Sequence, residues 1–244
     1  SRGLGDVYKR QQPQWYGEPI HGKTILLHAE QGLGDSIQFC RYAPLVAARG
    51  ARVLLEVHPG LRVVMGGLRG ISRVLERGEA LPPFDVHCPM VSLPLAFGTD
   101  LDSIPAQVPY IHPDAEHVWQ WRTRLGPRER MRIGIAWSGN PLHREDRRRT
   151  LKLSQFARIL TPRSDREFHV LQSEVREGDR ELLARLPGVH DHSGLLRDFS
   201  DTAALVSLMD LVICVDTSVG HLAGAMGWPT WVLIQCVPDW RWMW

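Results

Sequence analysis

The stretch that most constrains this chain is residues 211–227. An apolar run rich in β-branched residues, Leu211-Val212-Ile213-Cys214-Val215, stops at Asp216, passes Thr217 and Ser218, and continues as a small-residue helical pattern through Gly227. A short apolar run of this kind suits a buried strand, and the spacing that follows suits a helix, so the segment predicts strand, tight turn and helix start. A strand feeding a helix in this way belongs to α/β architecture. The junction is also a place for an anion, because the first amides of a helix lack internal acceptors and the peptide dipoles favour negative charge there. Asp216, Thr217, Ser218 and, one turn in, His221 would face whatever the turn holds. Capping of the helix by one of the first three is the plainer reading of the same residues.

The same grammar occurs twice along the chain. Residues 23–29 read as a buried strand, followed by the glycine turn Glu30-Gln31-Gly32-Leu33-Gly34-Asp35, a helix over 36–49, and strands at 51–57, 71–75 and 84–88. Pro105, Pro109, Pro113 and Pro127 interrupt the pattern around a helix over 115–125, which predicts a linker at 111–130. The grammar restarts with a strand at 131–137, the turn Ser138-Gly139-Asn140-Pro141, a helix over 153–160, a strand at 167–172, a helix over 179–186, a short strand at 189–191 and a helix over 202–209. The 211–227 junction and a strand at 230–234 complete it. We therefore expect an unpatterned lead (1–14), one Rossmann-like unit (15–110) and a second (131–244), with a ligand cleft between them at the carboxyl ends of parallel strands.

Composition removes several function classes. A net charge of +2 argues against a general nucleic-acid binder, and no apolar run reaches the roughly 20 residues of a membrane helix. The opening residues lack the apolar core of a signal peptide. Cys40, Cys88, Cys214 and Cys236 are far apart without C-x-x-C spacing, which suits a reducing, cytoplasmic compartment better than a disulfide framework or a zinc site. Trp240, Trp242 and Trp244 crowd the last residues, an apolar ending that predicts a truncated chain.

Among the motifs, Gly32 and Gly34 sit where a dinucleotide-binding turn would, and Glu56 lies where a ribose-binding acid is expected, but Ile37 occupies the place of the third glycine. Asp35 at the following helix start is either a cap or a general base acting on a hydroxyl. The basic loop from Asn140 to Lys152 offers Arg and Lys for phosphate, partly neutralised by Glu145 and Asp146. Gln172, at a strand end, could reach a nucleoside, as could Glu174; a surface turn is an equal reading. The histidines show no metal spacing, and no G-x-S-x-G elbow is present.

Taken in order, residues 28–39 (HAEQGLGDSIQF), Trp137-Ser138-Gly139-Asn140-Pro141 and residues 216–229 (DTSVGHLAGAMGWP) resemble the heptosyltransferase-type glycosyltransferases of family 9, in particular the domain that follows tetratricopeptide repeats in some bacterial proteins. The resemblance implies a GT-B fold with an acceptor-side N-terminal half and a donor-side C-terminal half. It implies inverting transfer from a nucleotide sugar, typically ADP-heptose, onto lipopolysaccharide core, with the nucleotide sugar as co-substrate and no catalytic metal. Leu33-Gly34-Asp35 matches the family's Leu-Gly-Asp motif, making Asp35 the candidate base, with Gln31, Gly32, Gly34 and Asn140 in loops near the cleft. Asp216-Thr217-Ser218-Val219-Gly220-His221 matches the donor loop, with Ser218 where glycine is common. Arg149, or else Lys152, matches the basic residue that meets donor phosphate. The implied partners are a glycan or lipid-linked acceptor and upstream repeats, and the implied setting is the cytoplasm, at the inner membrane face.

Overall fold

A computed structural model describes residues 11–140, 146–161 and 163–243. It divides into two compact units, one ending at Ile111 and the other beginning at His112. The first carries strands β1 (Thr24–His28), β2 (Arg52–Val57), β3 (Ile71–Glu76) and β4 (Val86–Pro89), with helices α1 (Leu33–Phe39), α2 (Ala43–Ala48), α3 (Arg62–Gly66) and α4 (Leu93–Phe97). Its sheet runs β3-β2-β1-β4, all parallel, with Ile25 opposite both Val53 and Val86. Ile25, Leu26 and Leu27 are all buried. Successive strand residues point to opposite faces, so an unbroken apolar run requires cover on both sides, which parallel sheets receive from their crossovers.

The second unit carries β5 (Met131–Ala136), β6 (Arg166–Val170), β7 (Val189–His190), β8 (Leu211–Val215) and β9 (Thr230–Leu233) in the parallel order β7-β6-β5-β8-β9. Its helices are α5 (Ala115–Leu125), α6 (Asp146–Arg149), α7 (Leu153–Phe156), α8 (Glu177–Leu183), α9 (Phe199–Val206) and α10 (Ser218–Ala225). Ile133, Ile135, Trp137, Phe156, Phe168 and Val170 form its core. In each sheet the chain reverses direction of travel beside the first strand: β1 lies between β2 and β4, and β5 between β6 and β8. Crevices at the carboxyl ends of such switch points are where open α/β sheets take ligands.

The stretch 111–130, expected as a linker with a helix over 115–125, carries α5 at those residues and, from His112 on, groups with the second unit. Trp121 is buried, its indole Nε1 donates to Asp201 Oδ1 at 3.0 Å, and α5 packs on α9. Four nearby prolines read as a linker because the apolar anchor is a single residue. Helix α9 also starts three residues before the expected 202, because the Asp198 carboxylate accepts from the amides of Ser200 and Asp201.

His169, His190 and His192 stack at the β6–β7 edge, with ring centroids 5.0 Å apart for His169 and His190 and 5.3 Å for His169 and His192. His169 Nε2 lies 3.1 Å from Glu167 Oε1, which also accepts from Arg132 Nε at 3.0 Å, and His169 Nδ1 lies 3.0 Å from His192 Nε2.

Candidate functional site

In the first unit the candidate residues lie in the loop that leaves β1. Gly32 adopts extended backbone before α1, and its amide donates to Asp35 Oδ2 at 2.9 Å, so Asp35 serves as a cap in the first turn of α1. The Ser36 hydroxyl donates to the Gly32 carbonyl at 3.2 Å, and His58 Nε2 is bonded to the Gln31 carbonyl. Gly34 is half-buried, whereas Gln31 and Gly32 are exposed. Glu30, passed over in the sequence, spans the switch point: its Oε1 accepts from the Val91 amide, just beyond β4, at 3.2 Å. Burial pushes the Glu30 carboxyl up, and the charge of Asp35 adds to the rise, against amide hydrogen bonds that lower it. Only a folded structure reveals such a shift, because it comes from desolvation. Glu56 is 2% exposed, so the acid expected to meet a ribose is enclosed by protein.

In the second unit, β5 opens into Trp137-Ser138-Gly139-Asn140. Gln172, at the end of β6, holds that turn: its Oε1 accepts from the amides of Trp137 (3.0 Å) and Ser138 (3.3 Å), and its Nε2 donates to Ser138 Oγ (2.9 Å) and to the Glu174 carbonyl (2.8 Å). At 6% exposure, the Gln172 amide clamps two strand ends together with its hydrogen-bonding capacity occupied. The Gly139 amide donates to Thr150 Oγ1 at 3.1 Å, and Thr150 Oγ1 donates to Asp146 Oδ1 at 2.9 Å. Arg149 lies over Gly139, whose Cβ, if it had one, would stand 2.9 Å from Arg149 Nη2. Lys152 and Asn140 are exposed. Positions 141–145 of the basic loop lie outside the described residues.

Beyond β8, Thr217 is extended (φ −150°, ψ 164°) and its side chain makes no cap bond to α10. Asp216 and Ser218 are half-buried, and Thr217 is buried. No described non-glycine residue has positive φ, so Ser218 stands where glycine is common without a backbone that demands one. The His221 ring stacks on Trp242, centroids 4.5 Å apart. Asn140, Arg149 and the 216–218 turn thus all follow the ends of β5 and β8, the pair that flanks this unit's switch point. Among the described residues no group of three or more His, Cys, Asp and Glu is arranged to hold a metal ion.

Two parallel sheets of this order, each with its candidate loops at a switch point, define the GT-B fold of heptosyltransferase-type glycosyltransferases. The chain is similar to the family 9 glycosyl transferase of Veillonella parvula (TM-score 0.66, 12% identity, covering 90% of this chain and 82% of that one). It is also similar to the E. coli ADP-heptose lipopolysaccharide heptosyltransferase II (TM-score 0.57, 11% identity, 86% and 84%). In sequence it is 25% identical over 260 residues to protein FlbA of Caulobacter vibrioides, covering 96% of this chain but only 43% of FlbA. No protein-family model matches the chain.

Proposed function

We propose that the chain is an inverting, metal-independent glycosyltransferase module that moves a sugar from a nucleotide-diphosphate donor resembling ADP-heptose to a hydroxyl on lipopolysaccharide or another glycan. The observation that carries the reading is the carboxyl end of the second unit. There a guanidinium lies over the Gly139 backbone and a helix begins at Thr217 without a side-chain cap, an arrangement suited to a diphosphate. The E. coli relative's ADP-heptose supports the choice of donor. In the proposed reaction Asp35 takes the proton from the acceptor hydroxyl, whose oxygen attacks the anomeric carbon as the bond to the diphosphate oxygen breaks. Arg149, with Lys152 as the alternative, and the amides after Asp216 stabilise the charge left on the diphosphate, with Thr217, Ser218 and His221 lining the donor and Gln172 holding the loop. Action at the cytoplasmic face of the inner membrane, downstream of tetratricopeptide repeats, belongs to the same reading.

Transfer by Asp35→Asn is expected to vanish while ADP binding, followed by calorimetry, stays within about threefold of wild type. Undiminished turnover would overturn the base assignment, and loss of turnover in Glu30→Gln alone would move it to Glu30. A second reading, a non-catalytic nucleotide-sugar-binding module, is favoured by one observation: Asp35 already serves as a helix cap. Absence of both transfer and donor hydrolysis across a panel of nucleotide sugars, with ADP still bound, would select it.

A further inference from the structure

Two arginines from separate segments converge on one buried carboxylate in the second unit. Arg176, immediately before α8, places Nη2 against Asp146 Oδ2 and donates from the same nitrogen to Thr150 Oγ1 at 3.3 Å. Arg149, in α6, holds Nε 3.9 Å from Asp146 Oδ1, an ion pair too long for a hydrogen bond. The Asp146 side chain is 6% exposed. Asp179, at the start of the same helix α8, is engaged elsewhere, accepting from Trp137 Nε1 at 2.9 Å and from the Leu153 amide at 3.2 Å. Asp146 is thus paired with two guanidiniums. Nε of Arg149 and Nε of Arg176 are both shut off from solvent without an acceptor among the described residues. The two side chains as wholes are still 17% (Arg149) and 36% (Arg176) exposed, so both remain open in part to a ligand with several anionic oxygens.

We infer that Arg176 is a second anion-binding residue, which with Arg149 forms a two-arginine clamp for a diphosphate, the pair being spaced by Asp146. The inference deepens the proposed function and rests on its reading of this unit as the diphosphate-binding half. Asp146 is then a positioning residue: it ties both arginines to Thr150, and through Thr150 to the Gly139 amide at the end of β5. A purely structural ion pair would affect stability and leave anion affinity alone.

The test titrates inorganic pyrophosphate, ADP, UDP and GDP into the full chain, as wild type, Arg149→Gln and Arg176→Gln. Each substitution is expected to weaken pyrophosphate binding about tenfold or more, the loss of one charge-assisted contact. Wild-type pyrophosphate affinity in folded Arg176→Gln overturns the clamp. Where that variant does not fold, phenylglyoxal labelling of Arg176 in the wild-type chain replaces it: pyrophosphate should slow the labelling several-fold, and unchanged labelling overturns the clamp. Pyrophosphate bound through Arg176 with no nucleoside diphosphate bound overturns the glycosyltransferase reading and leaves the clamp standing. Nucleoside diphosphates bound independently of Arg176 overturn the clamp alone, and failure to bind any of the four overturns both.

Discussion

Gly220 stands in the first turns of α10, where a Cβ would lie 2.9 Å from Cys214 Sγ and 3.5 Å from the Trp242 ring. The helix that follows the 216–218 turn can approach β8 this closely only without a side chain at that position. Gly220→Ala is expected to cost about 1–3 kcal/mol by urea unfolding, the usual range for overpacking, and Cys214→Ala in the same chain should return part of it by making room. Equal stability of Gly220→Ala and wild type would show that the contact is not limiting. At this scale sequence is a partial guide. Asp35 and Asp216 stand out in the sequence because each follows an apolar run whose period announces its end, whereas Arg149, with Lys152 as the alternative, stands out only through the family resemblance. Asp146 read only as a charge diluting a basic loop, yet it is the buried acid that pairs with Arg176 across 30 positions as well as with Arg149, a pairing with no local signature. Gln172 read equally as a nucleoside contact or as part of a surface turn, and its four bonds serve the loop itself.

Elements were legible where an unbroken apolar run met a turn, as in β1, β5 and β8. They were less so where a single side chain decides: Asp198 moves the start of α9, and α6, at four residues, is too short to show a period. The histidine stack at the β6–β7 edge is likewise invisible to spacing, and it gives the second unit a pH response. Burial, together with the neighbouring rings, pushes His169 and His192 down to about 4 from an ordinary value of 6.5, while burial works against Glu167 but its bonds to Arg132 and His169 hold it below the ordinary carboxylate range. His190, Asp191 and Arg124 are the other charged or titratable groups that act on the pair. Because the folded histidines stay neutral while the unfolded ones take up protons below 6.5, stability is full above that pH. It falls steadily towards pH 4, by up to roughly 3 kcal/mol for each histidine. Urea midpoints measured from pH 7.5 to 4.5 should trace that fall, and His192→Gln should flatten it; an unchanged slope would move the response to other groups.

Taken whole, the chain is two α/β units that each enclose their own core, dividing between Ile111 and His112. If the diphosphate half is the second unit, ADP at 100 times its Kd should stabilise that unit by about 2.7 kcal/mol and leave the first unit's exchange unchanged. Hydrogen exchange read separately for amides of β1 and β8 tests this, and equal protection of both would contradict the assignment. Every strand pair in both sheets is parallel, so each sheet has a carboxyl end where the candidate loops gather and an interior from which they are absent. That separation has a hereditary consequence. A lineage can rewrite the few turns that choose a ligand while inheriting the strands untouched, so close kin of this chain can diverge in chemistry long before they diverge in shape.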